Sequence, residues 1–257
     1  MRLSVHDLHY GYGEAQVLRG VDFEVGPGEI VCLVGPNGAG KSTALKCLNR
    51  ILKPARGRIL LDGAPVSGFS RRRLAQAIAY VPQQAGPTMS LPVMEMVRLG
   101  RAPHRGPGTG ARDQAVVLDA LQALQLEALA MRQYGELSGG ERHRVLIARA
   151  MAQEGRILLL DEPTSDLDLR HQLETMTALR RLCAERGVGV LIAIHDLALA
   201  SRFADRIVML SQGRVFAQGP WREVVTPGHL EAVYGVSALT GQDSGLPYVI
   251  PVEKSAL

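Results

Sequence analysis

The sequence predicts an α/β fold: a parallel sheet built around a phosphate-binding loop, with an antiparallel β unit ahead of it and a helical lobe inserted into it. Three observations carry that prediction. Gly35-Pro36-Asn37-Gly38-Ala39-Gly40-Lys41-Ser42-Thr43 fits G-x-x-x-x-G-K-[ST] at every fixed position. Ile157-Leu158-Leu159-Leu160 and Val190-Leu191-Ile192-Ala193-Ile194 are unbroken apolar runs, as strands buried on both faces of a parallel sheet require. From Pro92 to about Tyr134 strand signals vanish, while Val117, Leu121 and Leu124 recur at helical spacing.

In chain order, residues 3–10 and 16–25 alternate apolar and polar and are separated by Gly11-Tyr12-Gly13, which predicts two antiparallel strands. Val31-Cys32-Leu33-Val34 then leads as a short strand into the glycine loop, and Ala44-Leu45-Lys46-Cys47-Leu48 leaves it as a helix. Strand, loop and helix together give the core of a P-loop NTPase: backbone N–H groups and the positive helix end cradle phosphate. Lys41 would reach the β- and γ-phosphates and the Ser42 hydroxyl would meet Mg²⁺. Residues 57–63 read as a strand and turn, 74–77 as the end of a helix, and 78–81 as a strand stopped by Pro82. The lobe spans about 92–153, with Arg101 to Gly110 as a Gly/Pro-rich loop inside it.

The two apolar runs end in Asp161-Glu162 and in His195. Ligands of open α/β sheets bind beyond the carboxyl ends of the strands, so these groups are expected to converge with the loop on one site. Asp161 has the placement of the carboxylate that holds Mg²⁺. Glu162 is then free to polarise a water for attack on the γ-phosphate, the bland alternative being a structural salt bridge. His195 would contact the γ-phosphate or the water, and Gln83 offers an amide to the metal or that water. Ser138-Gly139-Gly140-Glu141 reads as a capped helix start, and so as a second anion cradle or as a cap alone.

These motifs, in this order, resemble the nucleotide-binding subunits of ABC transporters over nearly the whole chain. The resemblance rests on Tyr12, the phosphate loop, Gln83 after Tyr80-Val81-Pro82, the Leu137-Ser138-Gly139-Gly140 signature, Asp161-Glu162-Pro163-Thr164, Ser165-Asp166-Leu167-Asp168 and His195. It implies a single nucleotide-binding domain over 1–257 with a short C-terminal extension from about 220. It also implies a head-to-tail dimer in which ATP lies between the loop of one copy and Ser138, Gly139, Gly140 and Glu141 of the other, with Asp168 also at the nucleotide. Tyr12, or alternatively Tyr10, would stack on the base. With one set of motifs present, the partner is a second copy or a homologue.

The closer resemblance is to uptake ATPases for ferric siderophores, haem and cobalamin, through Leu99-Gly100-Arg101-Ala102-Pro103-His104, Leu169-Arg170-His171-Gln172 and the tail 245–251. It implies an ATPase at the cytoplasmic face of the inner membrane, peripheral, serving integral membrane permease subunits and indirectly a substrate-binding protein. An iron chelate is the expected cargo, with haem or cobalamin as alternatives. Three positions depart from the family pattern: Glu141 and His143 replace the usual Gln, and Asp166 adds a carboxylate. His143 is expected to alter the helix surface. A charge reversal at Arg101 is expected to weaken permease docking.

The bulk numbers agree with this reading. With 257 residues and 46% hydrophobic, the chain can bury a large core. A net charge of +4 with few aromatics gives a weak footprint for nucleic acid, so none is expected as a partner. Arg71-Arg72-Arg73, the one tight basic run, reads as a solvated helix start. A soluble ABC ATPase acting on nucleic acid or ribosomes is the runner-up, and a GTP switch lacks its Asn-Lys-x-Asp element. Cys32, Cys47 and Cys183 have no metal-like spacing and read as reduced core residues of a cytosolic protein. No stretch approaches the length of a membrane span.

Overall fold

The computed structural model of the protein describes residues 1–84, 90–106 and 109–252. Strands β1 (Leu3–Tyr12) and β2 (Ala15–Val25) pair antiparallel, β3 (Ile30–Val34) follows, and α1 (Lys41–Leu48) leaves the glycine loop. Next come β4 (Arg56–Leu61), β5 (Ala64–Pro65), α2 (Arg71–Ala77) and β6 (Ile78–Val81). The inserted helices are α3 (Val93–Arg98), α4 (Gly110–Ala123) and α5 (Gly139–Ala152). The α/β pattern resumes with β7 (Ile157–Asp161), α6 (Leu169–Arg186), β8 (Gly189–Ala193), α7 (Leu197–Phe203), β9 (Arg206–Ser211) and β10 (Arg214–Gly219). Helices α8 (Trp221–Val224) and α9 (Pro227–Tyr234) and the hairpin β11 (Ser237–Asp243) and β12 (Leu246–Val252) end the described chain.

Six strands form the central sheet in the order β10-β9-β3-β8-β7-β6, parallel except for the edge strand β10. Every residue of β3, β7 and β8 is buried, which is why these strands read as unbroken apolar runs. Alternate side chains serve two cores. Cys32, Val34, Leu158, Leu160, Val190 and Ile192 face α5 and α6, while Val31, Leu33, Leu159 and Leu191 face α1 and the antiparallel sheet β2-β1-β4-β5. All three cysteines are buried and free, and burial pushes the Cys32 thiol up to about 12. Among the described residues no helix is long and apolar enough to cross a membrane.

Three expectations are corrected. The first strand does not stop before Gly11: it runs through Tyr12, and Gly11 pairs with Gln16 and Tyr12 with Ala15. Gly13, at φ 59°, supplies the left-handed residue of a two-residue reversal, so one glycine turns the chain and the other is ladder. The loop from Arg101 to Gly110 is shorter than expected, because residues 99–104 continue α3 as a 3₁₀ turn. Its residues 107–108 lie outside the described residues, as do 253–257 of the C-terminal extension. Arg101 itself is buried: Nε donates to Asp113 Oδ1 at 2.8 Å, and Nη1 donates to the Ala152 carbonyl and to Glu154 Oε2, both at 2.7 Å. A buried guanidinium requires that many acceptors, which makes Arg101 a fastener between the 3₁₀ turn, α4 and α5 and not a docking residue.

Candidate active site

The phosphate loop hangs between β3 and α1 and is closed by its own lysine. Lys41 Nζ donates to the carbonyls of Gly35 at 2.7 Å and Pro36 at 3.2 Å, so the cation sits inside the curl of residues 35–40. Gly35 has φ 146°, and a Cβ there would lie 2.3 Å from the Leu210 carbonyl oxygen. Burial lowers the Lys41 pKa, with Glu162 and Asp161 acting against it.

At the carboxyl end of β7, Asp161 accepts a bond from Ser42 Oγ at 2.7 Å through Oδ1, and Tyr80 Oη lies 3.5 Å from Oδ2. Burial raises the Asp161 carboxyl, the Ser42 bond opposing it and the Glu162 charge adding to it. Hydroxyl and carboxylate oxygens held together are hard donors of the kind Mg²⁺ takes.

Glu162 follows in the left-handed region at φ 53°, with its N–H bonded to the Ala193 carbonyl at 2.9 Å. This uncommon backbone turns the side chain off the strand end toward the loop. Gln83 Nε2 donates to Glu162 Oε2 at 2.7 Å, and His195 Nε2 contacts Glu162 Oε1. An open cleft of about 620 Å³ is lined by Tyr12, Asn37, Lys41, Gln83, Glu162 and His195 together with Gly38, Ala39, Gly40, Ser42 and Thr43. Tyr12 is half-exposed at its rim and meets Tyr10 edge-to-face at 5.0 Å between centroids.

The signature residues are not in that cleft. Ser138 caps α5 through a reciprocal box: Glu141 N–H donates to Ser138 Oγ at 3.3 Å, and Ser138 N–H donates to Glu141 Oε2 at 2.8 Å. The Ser138 N–H, and the Ser138 hydroxyl donating to the same Oε2 at 2.8 Å, hold the Glu141 carboxyl below its usual range. Gly139 has open space around its Cα, whereas Gly140 packs against the Asp166 carbonyl. Asp168 caps α6, accepting from His171 N–H at 2.9 Å, and also lies outside the cleft. His143 departs from expectation, being buried at 2% exposure instead of on the helix surface.

One tyrosine of the site escaped sequence reasoning. Tyr80 reaches Asp161 because β6 pairs with β7. It has no local spacing signal. Only strand order brings it in.

The family model for ABC transporters matches residues 18–165, more than half of the chain. The chain belongs to the ABC transporter family. An ABC transporter ATP-binding protein of Methanocaldococcus jannaschii is 44% identical over 98% of each chain. The hemin import ATP-binding protein of Thermobifida fusca is 40% identical over 97% of this chain and 88% of its own. The ferric enterobactin transport ATP-binding protein of Escherichia coli is 37% identical over 99% of this chain and 96% of its own. A dimeric ABC cassette in a post-hydrolysis state with ADP and Pi superimposes with a TM-score of 0.76 at 31% identity, over 86% of this chain and 99% of that one. This ABC ATPase is accordingly an ATP-binding enzyme that hydrolyses ATP.

Proposed function

We propose that the chain is the ATPase subunit of an importer for an iron chelate, one nucleotide-binding domain over 1–257 that works as a head-to-tail pair of copies at the cytoplasmic face of a membrane. The observation that carries the site is the gathering of Lys41, the Ser42–Asp161 pair and Glu162, braced by Gln83 and His195, around one cleft with Tyr12 at its rim.

In this reading residues 35–43 hold the phosphates with backbone N–H groups and Lys41, and Tyr12 stacks on the base. Ser42, Asp161 and the Gln83 amide would hold Mg²⁺, which when bound neutralises charge on the β- and γ-phosphates. Glu162 takes the proton of the attacking water, and His195 orients the Glu162 carboxylate from the far side. Ser138, Gly139, Gly140 and Glu141 stand outside the cleft and so serve the nucleotide of the second copy, with Asp168 holding the start of α6 beside them. The lobe meets integral membrane permease subunits through exposed apolar residues such as Leu118 and Met131, and a substrate-binding protein delivers the cargo.

The siderophore-system relative supports iron chelate as cargo, and the hemin-import relative makes haem the second reading. The test is reconstitution of the chain with its permease and binding protein in vesicles containing ATP. Uptake of radio-iron as a ferric siderophore, lost with Lys41→Ala, is expected. Uptake of haem or cobalamin alone would reassign the cargo, and no uptake of any of the three would remove the importer.

A further inference from the structure

Two of the departures from the family pattern, His143 and Asp166, are distant in the chain and adjacent in the fold. Gly140 and His143 lie one turn apart on α5 and therefore share a face. That face is turned onto the segment after Glu162: a Cβ on Gly140 would stand 2.9 Å from the Asp166 carbonyl oxygen and 3.2 Å from Leu167 Cδ2. His143 is 2% exposed, and its buried Nε2 has no hydrogen-bond partner among the described residues. Asp166 is exposed to solvent.

Buried polar atoms in folded proteins are almost always bonded, so an idle ring nitrogen here needs an explanation. On its own helix, the flanking Arg144 donates Nη1 to the Leu124 carbonyl at 3.3 Å, while the Nε atoms of Arg142 and Arg144 are also buried with no partner among the described residues. The charge acting on the ring is that of Asp166; burial lowers the imidazole pKa and Asp166 opposes that shift.

We propose that His143 is a positioning residue of the ATP sandwich: when two copies close, its Nε2–H takes the Asp166 carboxylate as partner and pins residues 165–168 against the signature helix. This rests on the sandwich reading above. In the single copy the Asp166 carboxylate is exposed to solvent and gains little by leaving it. Closure strips water from the surface around Ser138 and residues 165–168, and a carboxylate losing its water needs a donor. The idle buried nitrogen beside it is that donor.

A desolvated carboxylate holds the imidazole protonated, so closure takes up a proton at His143. The ring pKa, depressed in the single copy, is raised in the closed pair. Between those two values association strengthens as pH falls and weakens as pH rises. A charge-assisted bond gained at each of two sites amounts to about tenfold per site, or about a hundredfold in the association constant.

The experiment uses Glu162→Gln, which slows turnover, and measures ATP-dependent dimerisation by analytical ultracentrifugation from about pH 5.5 to about pH 8. With His143 present, association is expected to weaken by about a hundredfold across that range. Added His143→Gln keeps a donor of similar reach without a titrating proton, so the dimer should persist with that part of the pH dependence gone. Asp166→Asn should flatten the profile in the same way. His195 is common to all variants and cancels from the comparison. A pH dependence that survives both His143→Gln and Asp166→Asn overturns this proposal alone. A Glu162→Gln protein that stays monomeric with ATP at every pH overturns the sandwich and this proposal with it.

Discussion

Replacing Glu162 by Gln separates chemistry from binding, and the bonds around the side chain give the size of each effect. Glu162 Oε2 accepts from Gln83 and Oε1 meets His195, so both carboxylate oxygens are engaged. A glutamine offers one oxygen and one NH₂ group. The Gln83 amide can turn over to present its own oxygen, so both contacts survive but each is downgraded from charge-assisted to ordinary, a cost of about 1–2 kcal/mol in all. Loss of a general base costs about 10²–10⁴-fold in rate, or about 3–5 kcal/mol on the barrier. The barrier therefore rises by more than the ground state loses, and ATP remains bound while hydrolysis stalls. Phosphate release in the steady state should fall by about 10²–10⁴-fold. Size-exclusion chromatography with light scattering should show a dimer with ATP and a monomer with ADP, since nucleotide stabilises the closed pair by mass action. Hydrolysis within about tenfold of wild type would refute Glu162 as the base. Slow hydrolysis with a monomer at saturating ATP would refute the sandwich instead.

What was legible in the sequence is what local chemistry dictates. The runs that became β3, β7 and β8 have both faces buried, so their apolar character needs no knowledge of partners. Ser138 was readable as a cap because a helix start needs an acceptor at that position whatever packs above it. Reading failed where a distant contact decides. Arg101 sits among Gly and Pro and looks like loop, yet Asp113 and Glu154 draw it inside. His143 lies between two arginines, a pattern that signals a solvated face, yet it is buried on the face of α5 that meets residues 166–167 at Gly140.

Three further outcomes are expected. Ser138→Ala removes the cap of α5 and should cost about 1 kcal/mol, seen as a melting temperature lower by about 2–4 °C. Gly100→Ala should lower thermal stability and protein yield, because its Cβ would stand 2.1 Å from the Arg149 carbonyl oxygen at the contact of the lobe helices; wild-type melting would contradict that close approach. Arg101→Met keeps much of the side-chain volume but strips Asp113 of its cation and leaves Glu154 only the longer contact to Arg112 at 3.5 Å. Melting at neutral pH should fall by about 10 °C, with ATP hydrolysis of the folded fraction retained. The hydrogen bond from Arg101 holds the Asp113 carboxyl below its ordinary value. A carboxylate depressed in the folded state contributes stability that is present above its unfolded pKa and is lost as pH falls through the folded one. The gap between wild type and Arg101→Met should therefore be constant near neutrality and narrow below about pH 4, where protonation begins to remove from wild type what the substitution has already removed from the variant. A gap that stays the same down to acid unfolding would mean that the fastener acts through packing and the Ala152 carbonyl, and not through the Asp113 charge.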